Sequence, residues 1–427
     1  MIVIDERRNW AGNQDYGAVA VHHPASVAEV QRLVAAAPRV RAVGARHSFS
    51  AVAATPGAHL VLDRLDRVLD IDTERRTATI EGGVRYAALC PALARVGLAL
   101  PNLASLSQIT VAGACATATH GSGDRNRILA AAVAALELVT ADGELVTLTR
   151  ERDGDTFRCA LVGLGALGVV VRLTLDLIPA FQIRQTVYED LPMARLVADF
   201  DAIMGGAYSV SLFTDWRGER VAMAWVKRRV DADAEPEAGA DYFGARPAPG
   251  GRTLGAQAAG EGVTAQSGVP GPWHERLPHF RAGAIPDTGA ELQSEFFVPR
   301  RHAAAAVRAF AALGDRLAPA LVLSEIRTVA ADDCWLSPCH GRESVGLHCT
   351  WHPDWPAVRA LLPLIEEALA PFDARPHWGK LFTLAPERLA ALYPQLADFR
   401  ALAGRYDPAG KFRNVFLDRY LHGAGTK

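Results

Sequence analysis

Apolar and polar positions along residues 1–179 predict strands alternating with helices. A strand is expected at 18–21. Ser26, with Glu29 three residues on, forms a capping box for a helix that Pro38 ends, and a second strand at 39–43 runs into the turn GARHSFS. Beyond this β-α-β unit come a hairpin (68–71 and 77–81), a helix over 86–96 stopped by Gly97, and a hairpin turning at Asp142–Gly143. A β run over 169–177 closes the region at Pro179, so 1–179 reads as one α+β domain. Residues 230–290 are rich in Ala, Gly and Pro and read as surface loops or a lid. Strands are expected again at 321–329 and 345–351, an amphipathic helix at 357–370, a helix at 386–402 and a turn at Asp407–Pro408.

Strand alternation separates faces as well as elements. In 344–352, Val345, Leu347, Cys349 and Trp351 make an apolar face, and His348, Thr350 and His352 share the other; in 321–329, Glu325 and Arg327 point the same way. Two readings stay open: a solvated strand face carrying a weak ion pair, or a surface suited to a substrate rich in hydroxyls.

Three motifs invite chemistry. Gly163, Gly165 and Gly168 match the spacing of a dinucleotide loop, but a β-branched run follows where that loop needs a helix. Cys334, Cys339, His340, His348, Cys349 and His352 lack a second matched ligand pair, so no metal is expected. The run from Val111 to Gly123 combines tiny side chains with Thr117, Thr119, His120 and Ser122, a backbone able to wrap a pyrophosphate. His47, on the turn after a strand, is by itself either a structural histidine or a nucleophile near neutral pH.

Composition narrows the partners. The 427 residues are 50% hydrophobic and 22% charged with a net charge of −2 and no basic block, so neither nucleic acid nor an anionic membrane is expected. The N-terminus does not read as a signal peptide, and the longest apolar stretch, 159–171, is too short to span a bilayer, so a cytoplasmic monomer is expected. Six cysteines in so long a chain read as buried thiols rather than a disulfide framework.

The stretches VGARHSFS (43–50), LPNLASLSQITVAGACATATHGSG (100–123), GALGVV (165–170), VPGPWHERLPHFRA (269–282), GAELQSE (289–295), EIRTVAADDCWLSP (325–338) and RPHWGKLF (375–382) carry a resemblance over essentially the whole length. The chain resembles the vanillyl-alcohol-oxidase/PCMH superfamily of flavoproteins and, within it, the bacterial alditol (xylitol) oxidases. That resemblance implies an α+β fold with a PCMH-type FAD-binding domain (1–179), a substrate or cap domain on a mixed β-sheet (180–370) and a C-terminal segment (371–427) returning to the flavin site. It implies FAD held covalently through His47, with Gly44, Ala45, Arg46, Ser48, Ser105, Thr110, Gly113, Thr117, Thr119, His120, Gly121, Ser122, Gly168, Val169 and His377 around the cofactor. Ser105, Glu325, Arg327, Thr350 and Lys380 would bind a polyol.

The implied reaction converts an alditol such as xylitol or sorbitol to the aldose by hydride transfer from C1 to flavin N5, with O2 reduced to H2O2. Glu325 and Ser105 would hydrogen-bond the polyol, Arg327 and Lys380 would stabilise developing negative charge, and His348 would accept the hydroxyl proton, a part open to Lys380 only if desolvation lowers its pKa. Two positions depart from the family pattern: Arg46 stands where a glycine is usual, and Ser107-Gln108 stands where Pro-His is usual. Aldonolactone oxidases and sugar dehydrogenases of the same superfamily are the alternative; the lactone enzymes tend to carry His-Trp-Ala-Lys where this chain has His377-Trp378-Gly379-Lys380.

Overall fold

The computed structural model describes residues 6–233, 240–254, 262–284 and 291–422. At its N-terminal end, strands Ala20–His22 and Val40–Val43 flank helix Val27–Ala36, as the pattern predicts. They are not neighbours, however: strand Ala58–Val61 lies between them and pairs parallel with both. The helix starts where Ser26 Oγ accepts from the Glu29 N–H at 3.2 Å, while Glu29 Oε2 accepts from the Ala25 N–H at 2.9 Å. These bonds satisfy donors that the first helical turn leaves open.

A five-stranded antiparallel sheet follows, in the order Val68–Asp72, Thr77–Glu81, Val169–Asp176, Val133–Val139, Leu145–Thr149. Both expected hairpins are in it. The Gly163–Gly168 turn joins helix Arg150–Leu161 to strand Val169–Asp176, so the helix comes before the glycines and the strand after. That order is the reverse of a dinucleotide loop.

The second large layer is a nine-stranded sheet. Its centre runs Gln182–Pro192, Arg220–Arg229, Ser209–Thr214, Leu321–Val329, Ser344–Trp351, Leu292–Pro299, each antiparallel to the next. A parallel bridge between Gly123 and Val329 ties the glycine-rich run to it. Val345, Leu347, Cys349 and Trp351 are buried in one core with Val307, Phe310, Val358 and Leu362 from helices Ala303–Ala311 and Trp355–Ala368. All six cysteines are buried free thiols. No helix among the described residues is long and apolar enough to cross a membrane.

Two expectations change. The helix expected over 386–402 is two helices, Pro386–Leu392 and Leu396–Tyr406, because Pro394 pushes Tyr393 to an extended φ/ψ of −119°/94°. The region 230–290, partly outside the described residues, supplies edge strands Arg246–Pro247 and Gly271–Pro272 on Gln182–Pro192, with Trp273 and His279 buried. It is sheet edge and site wall as much as loop.

The C-terminal end packs back onto the N-terminal layer. Lys411 O accepts from the Val40 N–H at 3.0 Å, and the Asn414 amide donates to Val52 O at 3.0 Å and Ala54 O at 2.7 Å. Arg41 locks the same corner, its guanidinium donating to Gly165 O, Phe412 O, Leu164 O and Val52 O over 2.5–3.0 Å. Burial lowers its pKa to about 10, which still leaves it charged at neutral pH. The Gly163–Gly168 turn is thereby held against a loop that lines the main cavity.

Candidate active site

Between the two layers lies a cavity of about 920 Å³, near the top of the roughly 300–1,000 Å³ common for small-molecule sites. Gly44, Ala45, Arg46, His47 and Ser48 line it from the loop after strand Val40–Val43. Thr110, Gly113, Thr117, Thr119 and His120 line it from the glycine-rich run, with Ser105, Gly168 and His377 completing this part. Gly121, Ser122 and Val169 lie outside the lining. Ser122 Oγ donates to Val210 O, Val169 pairs with Val139 inside the five-stranded sheet, and a Cβ on Gly121 would meet Leu103 O at 2.3 Å. Those three shape the wall from behind.

The loop carrying His47 is tightly constrained. A Cβ on Gly44 would come within 2.3 Å of Thr110 Oγ1, and one on Gly113 within 2.7 Å of the same atom. Arg46 sits at φ +62°, a left-handed conformation that costs a side-chain-bearing residue roughly 1–2 kcal/mol; this is the physical reason a glycine suits the position. Arg46 also has a buried Nη1 with no hydrogen-bond partner among the described residues. Burial, with Arg85 and Arg46 adding repulsion, pushes the His47 pKa down to about 4, so its imidazole is neutral. A long cavity with a backbone cradle, an unpartnered guanidinium nitrogen and a neutral imidazole suits FAD: donors for phosphate and a nucleophile for the ring.

The nine-stranded sheet supplies a polar wall of the same cavity. Pairing register places Glu295, His348 and Glu325 side by side across three strands, with Gln293, Thr350 and Leu323 as the next row. The polar face therefore looks into the cavity, and Glu325, Arg327 and His348 are each under a tenth exposed. The solvated-face reading fails.

Glu295 is the hub, and sequence reasoning did not single it out. Its Oε2 accepts from Lys380 Nζ at 2.7 Å and its Oε1 from Arg327 Nη2 at 2.9 Å, with His120 Nε2 at 3.1 Å from Oε1. Burial alone would raise its pKa, but the charges of Lys380 and Arg327 outweigh it and hold the carboxyl well below the usual range. One signal was available: an acid inside the apolar strand LQSEFFVP is almost never buried without a partner. His120, Glu295 and His377 also lie close enough together to suggest a metal site, yet the same carboxylate already faces two cations, which would repel a third.

Lys380 Nζ also donates to His348 Nδ1 at 2.8 Å. With Nδ1 accepting, the neutral ring carries its proton on Nε2, which donates to Thr350 Oγ1 at 3.1 Å. Burial and then Lys380 hold the His348 pKa well below its ordinary value. Burial also lowers that of Lys380, with Glu295 opposing. Glu325 accepts from His279 Nε2 at 2.8 Å and lies 3.5 Å from Arg327 Nε; burial opposes its ionisation, but Arg327 and His279 keep its pKa low. His377 Nδ1 accepts from the Gly379 N–H at 3.0 Å, and Gly379 O accepts from the Phe49 N–H at 2.6 Å. The His377–Lys380 segment is so joined to the His47 loop.

Residues 18–149 match a family described as FAD binding domain, and 290–420 match one described as D-arabinono-1,4-lactone oxidase. The chain is 50% identical to an alditol oxidase of Streptomyces sp. over 97% of its own length and 99% of that protein's. It is 30% identical to an L-gulono-1,4-lactone dehydrogenase of Mycobacterium tuberculosis over 97% and 98%. Among solved structures, cholesterol oxidase from B. sterolicum superposes with a TM-score of 0.77 over 97% of this chain and 96% of that one, at 16% identity, a likeness of fold.

Proposed function

Because the chain belongs to the alditol oxidase family of FAD-binding oxidoreductases, we propose that it oxidises the terminal hydroxyl of an open-chain polyol such as xylitol or sorbitol to the aldose, with O2 reduced to H2O2. Bound FAD supplies the hydride acceptor and passes the electrons on to O2. The observation that carries the reading is the row of ionised and neutral groups on one sheet face: Glu325 and Arg327 beside Lys380, which is shared between Glu295 and His348.

Glu325, with one oxygen held by His279, keeps lone pairs for a substrate hydroxyl, and Ser105 lines the same space. Arg327, fixed by two carboxylates, faces the oxygen on which negative charge develops. The proton acceptor is the Lys380–His348 pair rather than His348 alone. His348 Nδ1 is engaged by Lys380, so the nitrogen left to take the hydroxyl proton is Nζ in its neutral form; Glu295 Oε2 and His348 Nδ1 then steady the ammonium that results.

Alditols and aldonolactones assayed side by side for H2O2 test this. Alditols should be turned over and their deoxy analogues rejected by 10²-fold or more, since a missing hydroxyl leaves a buried partner unpaired. Equal turnover of both would end this account of substrate recognition. The match of 290–420 to a lactone oxidase family supports a second reading, aldonolactone oxidation; H2O2 from lactones alone would establish it instead. O2-independent turnover with an artificial acceptor would mark a dehydrogenase.

His47 is proposed as the covalent anchor of the flavin, supported by its place in the cavity wall and its neutral imidazole. Acid-precipitated wild type should stay yellow, whereas His47→Ala should release its flavin to the supernatant. Flavin released from both would rule out the bond and leave the oxidase reading intact.

A further inference from the structure

Lys227 is 1% exposed and His279 5%; the chemistry above uses the His279 bond to Glu325 but leaves Lys227 without a part. Lys227 rises from strand Arg220–Arg229 and meets three acceptors in the 277–279 loop: Leu277 O, Pro278 O at 3.3 Å and His279 Nδ1 at 3.2 Å. An ammonium has three donors, so the match is complete. With Nδ1 accepting, His279 carries its proton on Nε2, the atom 2.8 Å from Glu325 Oε1. Phe213 and Trp225 close on the imidazole edge-to-face, with centroids 5.6 and 5.1 Å away, and hold its plane. The same loop grips the other polyol-facing residue, since the His279 and Phe280 N–H groups both donate to Ser105 O, at 3.0 and 3.1 Å.

We propose that Lys227 and His279 form a positioning relay that sets the tautomer of His279, fixes the orientation of the Glu325 carboxylate, and anchors Ser105, so that both groups meet consecutive hydroxyls of a polyol. This rests on the proposed polyol oxidation and adds to it the residues that set substrate affinity from behind the binding surface. Burial pushes the Lys227 pKa down to about 7; the ammonium has a donor for each of its three acceptors, whereas the neutral amine has two hydrogens and a lone pair, so the relay is complete in the charged state. Losing the imidazole frees Glu325 to swing toward Arg327, the cation 3.5 Å away, and takes its lone pairs from the substrate.

The experiment is a double-mutant cycle on the flavin-loaded enzyme, with xylitol as substrate. His279→Phe should raise KM about tenfold, the loss of one charge-assisted hydrogen bond, with little change in kcat or flavin content. His279→Gln keeps a donor for Glu325 and an acceptor for Lys227 and should return KM to within about threefold of wild type. In a Glu325→Gln background His279→Phe should add less than about twofold, because the relay acts through that carboxylate. Should His279→Phe not fold, His279→Asn, too short to reach Glu325, takes its place in the cycle. An unchanged KM, no rescue by glutamine, or an undiminished effect in the Glu325→Gln background would each overturn the relay. Wild type that turns over no alditol would overturn the functional reading and the relay with it, whereas the first three results in an active enzyme touch the relay alone.

Discussion

Lys380→Met is expected to lower kcat/KM for the best alditol by about 10²–10⁴ while leaving flavin content unchanged. Nζ is hydrogen-bonded to both Glu295 and His348, and methionine keeps the volume but not the proton chemistry. The pH profile gives the sharper signature. An acceptor of the hydroxyl proton must be unprotonated, so wild-type kcat/KM rises with pH as Lys380 loses its proton and falls away below that point. Burial places this titration below the usual lysine value of 10.5. Glu295, Glu325 and His348 do not produce the same limb, because each has its pKa held below its ordinary value. The limb should therefore vanish in Lys380→Met. Activity within a few-fold of wild type, or an unaltered limb, would refute the assignment.

Glu295→Gln should damage stability and catalysis together. The amide has nearly the same shape but no charge, and it leaves Lys380 and Arg327 facing each other without the carboxylate both of them bind. Removing one partner of a buried ion pair costs about 3–5 kcal/mol. At the per-residue entropy typical of globular proteins, that is roughly 3–5 °C of Tm for a chain this long. Adding Lys380→Gln to Glu295→Gln should recover part of the stability, since the second change removes a stranded charge. Glu295 also raises the Lys380 pKa, so in the single variant the acid limb should move to lower pH even as the rate falls. A melting temperature and limb identical to wild type would show that the carboxylate is not the hub its contacts describe.

Much of the fold and part of the site were legible in the chain. Strand alternation gave His348 and Thr350 a common face of one strand, and Glu325 and Arg327 a common face of another strand, and the structure turns both toward the cavity. Turn and cap residues marked the 26–36 helix and both hairpins because they act over three or four residues. The glycine-rich run was recognisable by its tiny side chains, and the structure gives the reason at Gly113, where a Cβ would come within 2.7 Å of Thr110 Oγ1.

Tertiary structure alone decided the rest. Alternation repeats every two residues, so it assigns a face but not a register, and only register puts Glu295 opposite His348. His279 sits in a Pro- and Gly-rich loop without periodicity, and its proposed role arises from Lys227, 52 residues earlier on a strand. The contact behind the proposed Lys380–His348 proton acceptor is long-range as well: which ring nitrogen of His348 is engaged depends on a neighbour 32 residues away. Local spacing determined which side chains were available, and long-range packing of strands and loops determined which of them come within hydrogen-bond distance.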